Sequence, residues 1–277
     1  MGIGKCDRYA VFLGKAKTLY LGDPQGMTIA SRAWTGNFDF LLSQEPLAAS
    51  KTTTRDLGLR FAPLRFTPYH MSMAEDQYLQ PYRESATKHG HSFEVTLWAN
   101  HQSQVRRFNI FSQMVHLPGK RILDAGCSRG DLAAFLVERK IAYASYVGID
   151  GLHEVIAFAS DRQLPRTRFI AGDFLLNPGL LTTGDPQVIC ISGSLNTMTQ
   201  GQLFASLEAA WAATTQTLLF NFLTDLALPA APHQTKPALR HDGLHLIKWA
   251  TSQTGNVTYR QDYFDHGHDA TIMMVKA

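Results

Sequence analysis

The sequence predicts an α/β fold built on a mostly parallel sheet. Three observations carry that prediction. From residue 94 onward, short apolar runs alternate with helical patterns; residues 121–132 read as strand, tight turn and helix; and acids close several of the strand runs. Strands of buried type that alternate with helices imply βαβ units with helices on both faces of the sheet.

Taken in order, Tyr9–Leu13, Thr18–Leu21 and Met27–Ser31 read as short strands, punctuated by Gly22-Asp23-Pro24 and Gly26. Thr52–Arg55 and the prolines at 63 and 68 read as extended linker. Val105, Phe108, Phe111 and Val115 recur at one-face helical spacing, and Pro118-Gly119 stops that helix. Strands follow at Arg121–Ala125, Tyr146–Asp150, Arg168–Ala171, Gln187–Ile191 and Thr217–Phe222. Between them lie helices at Gly130–Lys140, Leu152–Ser160 and Gln200–Thr214, the last with Thr199 and Gln202 spaced as a capping box. Asp242 reads as the N-cap of a helix beginning at Gly243. Val257–Tyr263 and Thr271–Val275 form a closing hairpin that adds an antiparallel edge.

The turn Asp124-Ala125-Gly126-Cys127-Ser128-Arg129-Gly130-Asp131 directs backbone N–H groups and a helix N-terminus at whatever lies above it. A dinucleotide fingerprint would need Gly at 126, 128 and 131, but Ser128 and Asp131 break it. Asp-x-Gly-x-Ser-x-Gly resembles instead the nucleotide loop of class I S-adenosylmethionine-dependent methyltransferases, with Ser128 where that family usually has Gly. If that position needs φ > 0, a side chain there costs on the order of 1–2 kcal/mol. The resemblance covers roughly residues 94–277. It implies a Rossmann-like, seven-stranded, mostly parallel sheet with an antiparallel C-terminal hairpin, and S-adenosylmethionine as cofactor. Residues 76–277 would form that domain, with residues 1–75 as an N-terminal arm or cap.

Ligands in open α/β sheets bind beyond the carboxyl ends of the strands, where the strand order reverses. Asp150 ends the second strand of the alternating region, where a carboxylate can accept both hydroxyls of a ribose; a cap on the helix at Leu152 is the simpler role. The resemblance assigns the adenine amino group to Asp173, a ring nitrogen to the Phe174 amide, and the methionyl amino group to Asp124. Gly126, Cys127, Ser128 and Gly130 would form the cradle, the glycines letting backbone approach the ligand. Ser192 and Asn196 follow the fourth strand and would line the methyl-transfer cleft. Gln104, on the apolar face of its helix, or Arg107 beside it, would meet the cofactor carboxylate.

The chain has 277 residues, 45% hydrophobic and 18% charged, with a net charge of +3. That balance does not argue for a nucleic-acid partner, although residues 1–70 carry 9 Lys/Arg against 5 Asp/Glu. The apolar run Ala10–Leu13 is too short for a secretory signal, and no 18-residue apolar stretch occurs, so a cytoplasmic protein without a membrane span is expected. The cysteines at 6, 127 and 190 are too far apart for a disulfide framework. His241 and His245 have metal-ligand spacing, but Asp242 as N-cap leaves His241 outside the helix, and no metal is expected. His266 and His268 on the hairpin turn, with His245, are candidates for accepting a substrate proton. The proline-bearing segment Leu223–His241 should overhang the cleft and, with His245 and Trp249, select the substrate. A small-molecule acceptor is expected. The alternatives are an RNA or protein substrate recognised by the basic arm, or a non-catalytic cofactor-binding module. The Asp/Asn-Pro-Pro-aromatic motif of base-amine methyltransferases is absent after the fourth strand, which counts against a nucleic-acid base.

Overall fold

The computed structural model describes residues 77–277 and, by backbone only, three strands before them. The chain divides into two units, Met1–Arg65 and Phe66–Ala277. In the first, β1 (Tyr9–Phe12), β2 (Leu19–Asp23) and β3 (Gly26–Thr28) pair antiparallel in that order, at the three places the sequence marks. The linker reading at 52–55 and the prolines at 63 and 68 lie outside the described residues.

The second unit opens with a 3-10 turn at Gln77–Leu79 and α1 (Gln80–His89). After α2 (His101–Met114), β4 (Arg121–Ala125), α3 (Asp131–Glu138), β5 (Ser145–Asp150), α4 (His153–Asp161) and β6 (Thr167–Ala171) alternate. There follow β7 (Val188–Ser192), α5 (Gln200–Ala213), β8 (Thr217–Leu223), α6 (Gly243–Gln253), β9 (Asn256–Arg260) and β10 (Asp269–Val275). The sheet order is β6-β5-β4-β7-β8-β10-β9. All neighbours from β6 to β8 pair parallel, and β10 runs antiparallel to both β8 and β9. The strand order therefore reverses at β4/β7, where an open α/β sheet presents its ligand crevice.

The local signals act as read. The Thr199–Gln202 capping box forms, the Asp242 side chain accepts from the His245 amide, and Asn100 caps α2 through the Ser103 amide. Every residue of β8 is buried, as a central strand covered on both faces requires. Phe108 and Phe111 of α2 and Phe135 and Leu136 of α3 pack one face. Val155 of α4, Leu203 and Leu207 of α5, and Leu246 of α6 pack the other.

The hairpin differs in its limits. β9 stops at Arg260, and Tyr263 leaves the strand pattern so that its hydroxyl meets Asp269 and Thr271 in the interior, at 2.6 and 2.8 Å. β10 correspondingly begins two residues early, pairing Asp269 with Leu223. Among the described residues, no helix is long and apolar enough to cross a membrane.

Candidate functional site

The loop after β4 turns back on β5. The Gly126 and Cys127 amides both donate to the Ile149 carbonyl, at 2.8 and 3.0 Å, and the Gly130 amide donates to the Cys127 carbonyl. Gly126, Ser128 and Gly130 have φ of +80°, +46° and +72°. Positive φ at alternate residues gives the backbone the concave form that suits anionic or polar groups. The position where the family motif usually has glycine does need a left-handed backbone, and Ser128 adopts it. A Cβ at Gly126 would stand 2.6 Å from the Ser194 side chain, so that residue has no room to grow.

Around this loop lies a narrow cleft lined by Gly126, Ser128, Asp150, Asp173, Phe174 and Ser192, six of the residues the sequence nominates. Asp150 does two things at once. Its Oδ2 accepts from the Ser128 amide at 2.9 Å and its Oδ1 from the Leu152 amide at 3.0 Å, so it braces the turn that enters α4 without capping that helix, and it also lines the cleft. Each carboxylate oxygen retains acceptor capacity. Burial pushes its pKa up to about 6, against the backbone donors that favour the ionised form.

Asp173 Oδ1 accepts from the Tyr78 hydroxyl at 2.6 Å and from the Leu175 and Leu176 amides at 2.9 and 3.2 Å. Its Oδ2 is buried with no protein partner, as is Ser192 Oγ. A buried acceptor left alone costs about 1–3 kcal/mol, so such an atom points to a ligand or water donor. The donor and acceptor set fits an adenosyl group: a strand-end acid, a free acceptor beyond the next strand and a backbone cradle at the reversal of the sheet. The cleft measures only about 50 Å³, against the roughly 300–1,000 Å³ of ligand sites. Tyr78 and Leu79 of the turn before α1, Tyr82 of α1 and Trp98 of the segment after it line its walls.

Five nominated residues stand elsewhere. Asp124 is buried beneath the loop with its Oδ2 accepting from the Tyr146 hydroxyl at 2.5 Å, and it does not line the cleft. Burial raises its pKa to about 7. Cys127 and Gly130 face inward: Cys127 joins the core, and a Cβ at Gly130 would meet the Phe169 ring at 2.8 Å. Gln104 reaches Asp131 at 3.4 Å. Arg107 is held in a buried ion pair with Asp269, Nε to Oδ2 2.6 Å, and lies over the Trp98 ring. Its guanidinium is thus committed inside the protein, because a buried Arg requires a carboxylate partner.

A second cavity of about 550 Å³ opens beside the first and shares Tyr82, Thr96, Trp98 and Gly193 with it. A Cβ on Gly193 would stand 2.6 Å from the Trp98 ring, so the indole sits directly against the partition. Asn196 and His268 line this second space, as do Pro232–Ala238 and Arg240 of the proline-bearing segment. That segment is tied at its ends: the His241 amide donates to the Leu223 carbonyl at 2.8 Å, and His241 Nε2 lies 3.0 Å from the Leu195 carbonyl oxygen. His268 Nδ1 is buried without a partner, and burial holds the imidazole below its ordinary pKa.

The other two candidate histidines stand away from both cavities. His245 sits on the exposed face of α6, against Gln200 and Phe204, and lines neither cavity. Trp249 packs edge-on to Phe220 and Phe204 instead of facing a substrate space. His266 lines neither cavity; its carbonyl accepts from the Leu228 amide. Sequence reasoning missed the cover of the first cleft. The signal was a cluster of aromatics, Tyr78, Tyr82, Phe93 and Trp98, in an otherwise polar stretch.

No protein-family profile matches the chain, and no curated protein matches it. Solved structures do. A complex named DhpI-SAM-HEP superposes with a TM-score of 0.50 at 14% identity, covering 73% of this chain and 97% of that one. An O-methyltransferase family protein from Burkholderia thailandensis gives 0.50 at 14%, covering 64% and 56%. The small RNA methyltransferase HEN1 gives 0.51 at 11%, covering 61% of this chain and 25% of that one. The chain has the class I methyltransferase fold. In the methyltransferase fold seen here, the loop after β4, the β5 acid and the β6 acid meet where the sheet order reverses.

Proposed function

We propose that this protein is an S-adenosylmethionine-dependent methyltransferase whose acceptor is a small molecule bound in the second cavity. One observation carries the reading: Asp150 and the unpartnered Asp173 Oδ2 stand on adjacent strand ends around a left-handed backbone cradle. When bound, the cofactor supplies a methyl group already activated by its sulfonium.

The protein's own part is alignment, exclusion of water and, for a hydroxyl acceptor, removal of a proton. Asp150 would hold the ribose diol, Asp173 the adenine amino group, and Ser192 a polar group toward the second cavity. Asp124 supports the loop from below through Tyr146 and makes no ligand contact in this scheme. His268 would serve as proton acceptor, because its buried, depressed pKa keeps the imidazole neutral near pH 7. Tyr78, Tyr82 and Trp98 must swing out to admit the cofactor, and their return would exclude water. A committed Arg107 and buried Asp124 leave the methionyl end to backbone and Ser192. The substrates of the similar structures differ in kind, so they do not name the acceptor.

Calorimetry with S-adenosylhomocysteine tests the reading. Saturable binding that is lost in Asp150→Ala supports it. No heat at high micromolar protein sinks it.

A further inference from the structure

The second cavity has an uneven charge. Lys236 and Arg240 line it together with His233, His268 and Arg107, while no Asp or Glu does. Arg107 is neutralised by Asp269 behind the wall. Arg240 and Lys236 make no ion pair with any carboxylate among the described residues. The Arg240 Nη2 donates to the Pro232 carbonyl at 2.7 Å, which fixes the side chain, yet its Nε is buried with no partner. A buried guanidinium N–H without an acceptor is costly, and an Arg fork fits a carboxylate or phosphate oxygen pair. A concave wall of one sign also concentrates anions of the opposite sign.

We propose that the acceptor is a small anion carrying a carboxylate or phosphate group, bound by Arg240 and Lys236 with its nucleophile directed toward Gly193. The assignment of this cavity to the acceptor rests on the methyltransferase reading. A neutral oxygen could accept from Arg240 Nε but would add no counter-charge for Arg240 and Lys236, and a cation would be repelled by both. The half-open cavity, with Tyr82, Trp98 and Phe264 on its wall and a volume of about 550 Å³, is of the size that takes one small molecule.

The test titrates four probes calorimetrically into the full chain, with and without saturating S-adenosylhomocysteine: 4-hydroxybenzoate, phenyl phosphate, benzyl alcohol and benzylamine. The anions should bind about tenfold or more tighter than the neutral and cationic probes, with phenyl phosphate against 4-hydroxybenzoate distinguishing the two anionic groups. Arg240→Gln and Lys236→Gln should each weaken anion binding about five- to tenfold. Lys236 is exposed, so Lys236→Gln reports on the site even if Arg240→Gln unfolds the segment. If S-adenosylhomocysteine binds but the anions bind no tighter than benzyl alcohol, or both variants leave them unchanged, the anionic acceptor is overturned and the methyltransferase reading stands. If the anions bind through Arg240 while S-adenosylhomocysteine does not bind at all, the methyltransferase reading is overturned and the acceptor role falls with it. Binding of an RNA oligonucleotide that exceeds both anions and is weakened by Lys236→Gln also overturns it, because the cavity's cations would then serve a polyanion.

Discussion

The Ser128 amide donates to the Asp150 carboxylate across 2.9 Å, which makes the loop after β4 and the acid ending β5 one unit. A change at either residue therefore reaches the other. In the proposed scheme Asp150 would accept ribose hydroxyls as a carboxylate, and burial, which pushes its pKa up to about 6, places that ionisation close to neutral pH. Affinity for S-adenosylhomocysteine should fall as pH drops through about 6, approaching tenfold per pH unit below it. Calorimetric titrations between about pH 5 and 8 check this, and a flat profile removes Asp150 from the ribose. Stability runs the other way. The native pKa is raised above the roughly 3.9 of an unfolded aspartate, so this group's contribution is full below about pH 4 and lost as pH rises through about 6.

Ser128 holds φ at +46°, a conformation that costs L residues on the order of 1–2 kcal/mol. Ser128→Gly should leave stability unchanged or raise it by up to about 1 kcal/mol, part of the relief being offset by the greater freedom of unfolded glycine. Ser128→Val should destabilise by about 1 kcal/mol or more, because β-branching penalises that region further. Urea midpoints rank the three proteins. Equal stability of the valine variant and the natural chain would contradict the left-handed geometry.

The Arg107–Asp269 pair is buried on both sides and braced by the Tyr263 hydroxyl, 2.6 Å from Asp269 Oδ1. Arg107→Ala should cost about 3–5 kcal/mol, since it strands a carboxylate in the interior. Arg107→Met with Asp269→Leu should recover much of that loss, because apolar side chains of similar volume remove both charges together. A single variant as stable as the natural protein would mean that the pair is solvated.

Asp124 provides a second pH signature, distinct from that of Asp150. Burial lifts its pKa to about 7, so its contribution to stability is full below about pH 4 and disappears as pH rises through 7. Between about pH 4 and 7 the natural protein should lose stability relative to Asp124→Asn, with a slope of at most about 1.4 kcal/mol per pH unit, and the difference should level off above about pH 7. Parallel stability curves for the two proteins over that range would show that Asp124 is solvated in the folded state.

Much of this was legible in the residues alone. The order of strands and helices and the caps at Thr199 and Asp242 follow from neighbours within a few positions, whereas the left-handed backbone at Ser128 was a question that the resemblance raised and the fold answered. Apolar period, side-chain capping and φ preference are local properties, so the sequence carries them openly. The acids at 150 and 173 were legible for the same reason, because each ends a strand and strand ends converge in a parallel sheet.

Only the folded chain decided which polar groups are committed and which remain free. Arg107 pairs with a carboxylate 162 positions away, and Tyr78 with one 95 positions away. No local pattern encodes such pairings, since they depend on which surfaces the packed helices bring together. The same packing drew Asp124 under the loop, moved His245 and Trp249 away from the cleft, and left Asp173 Oδ2 and Arg240 Nε buried without partners. Residue type told which chemistry was present, and burial with long-range pairing determined where that chemistry is still available.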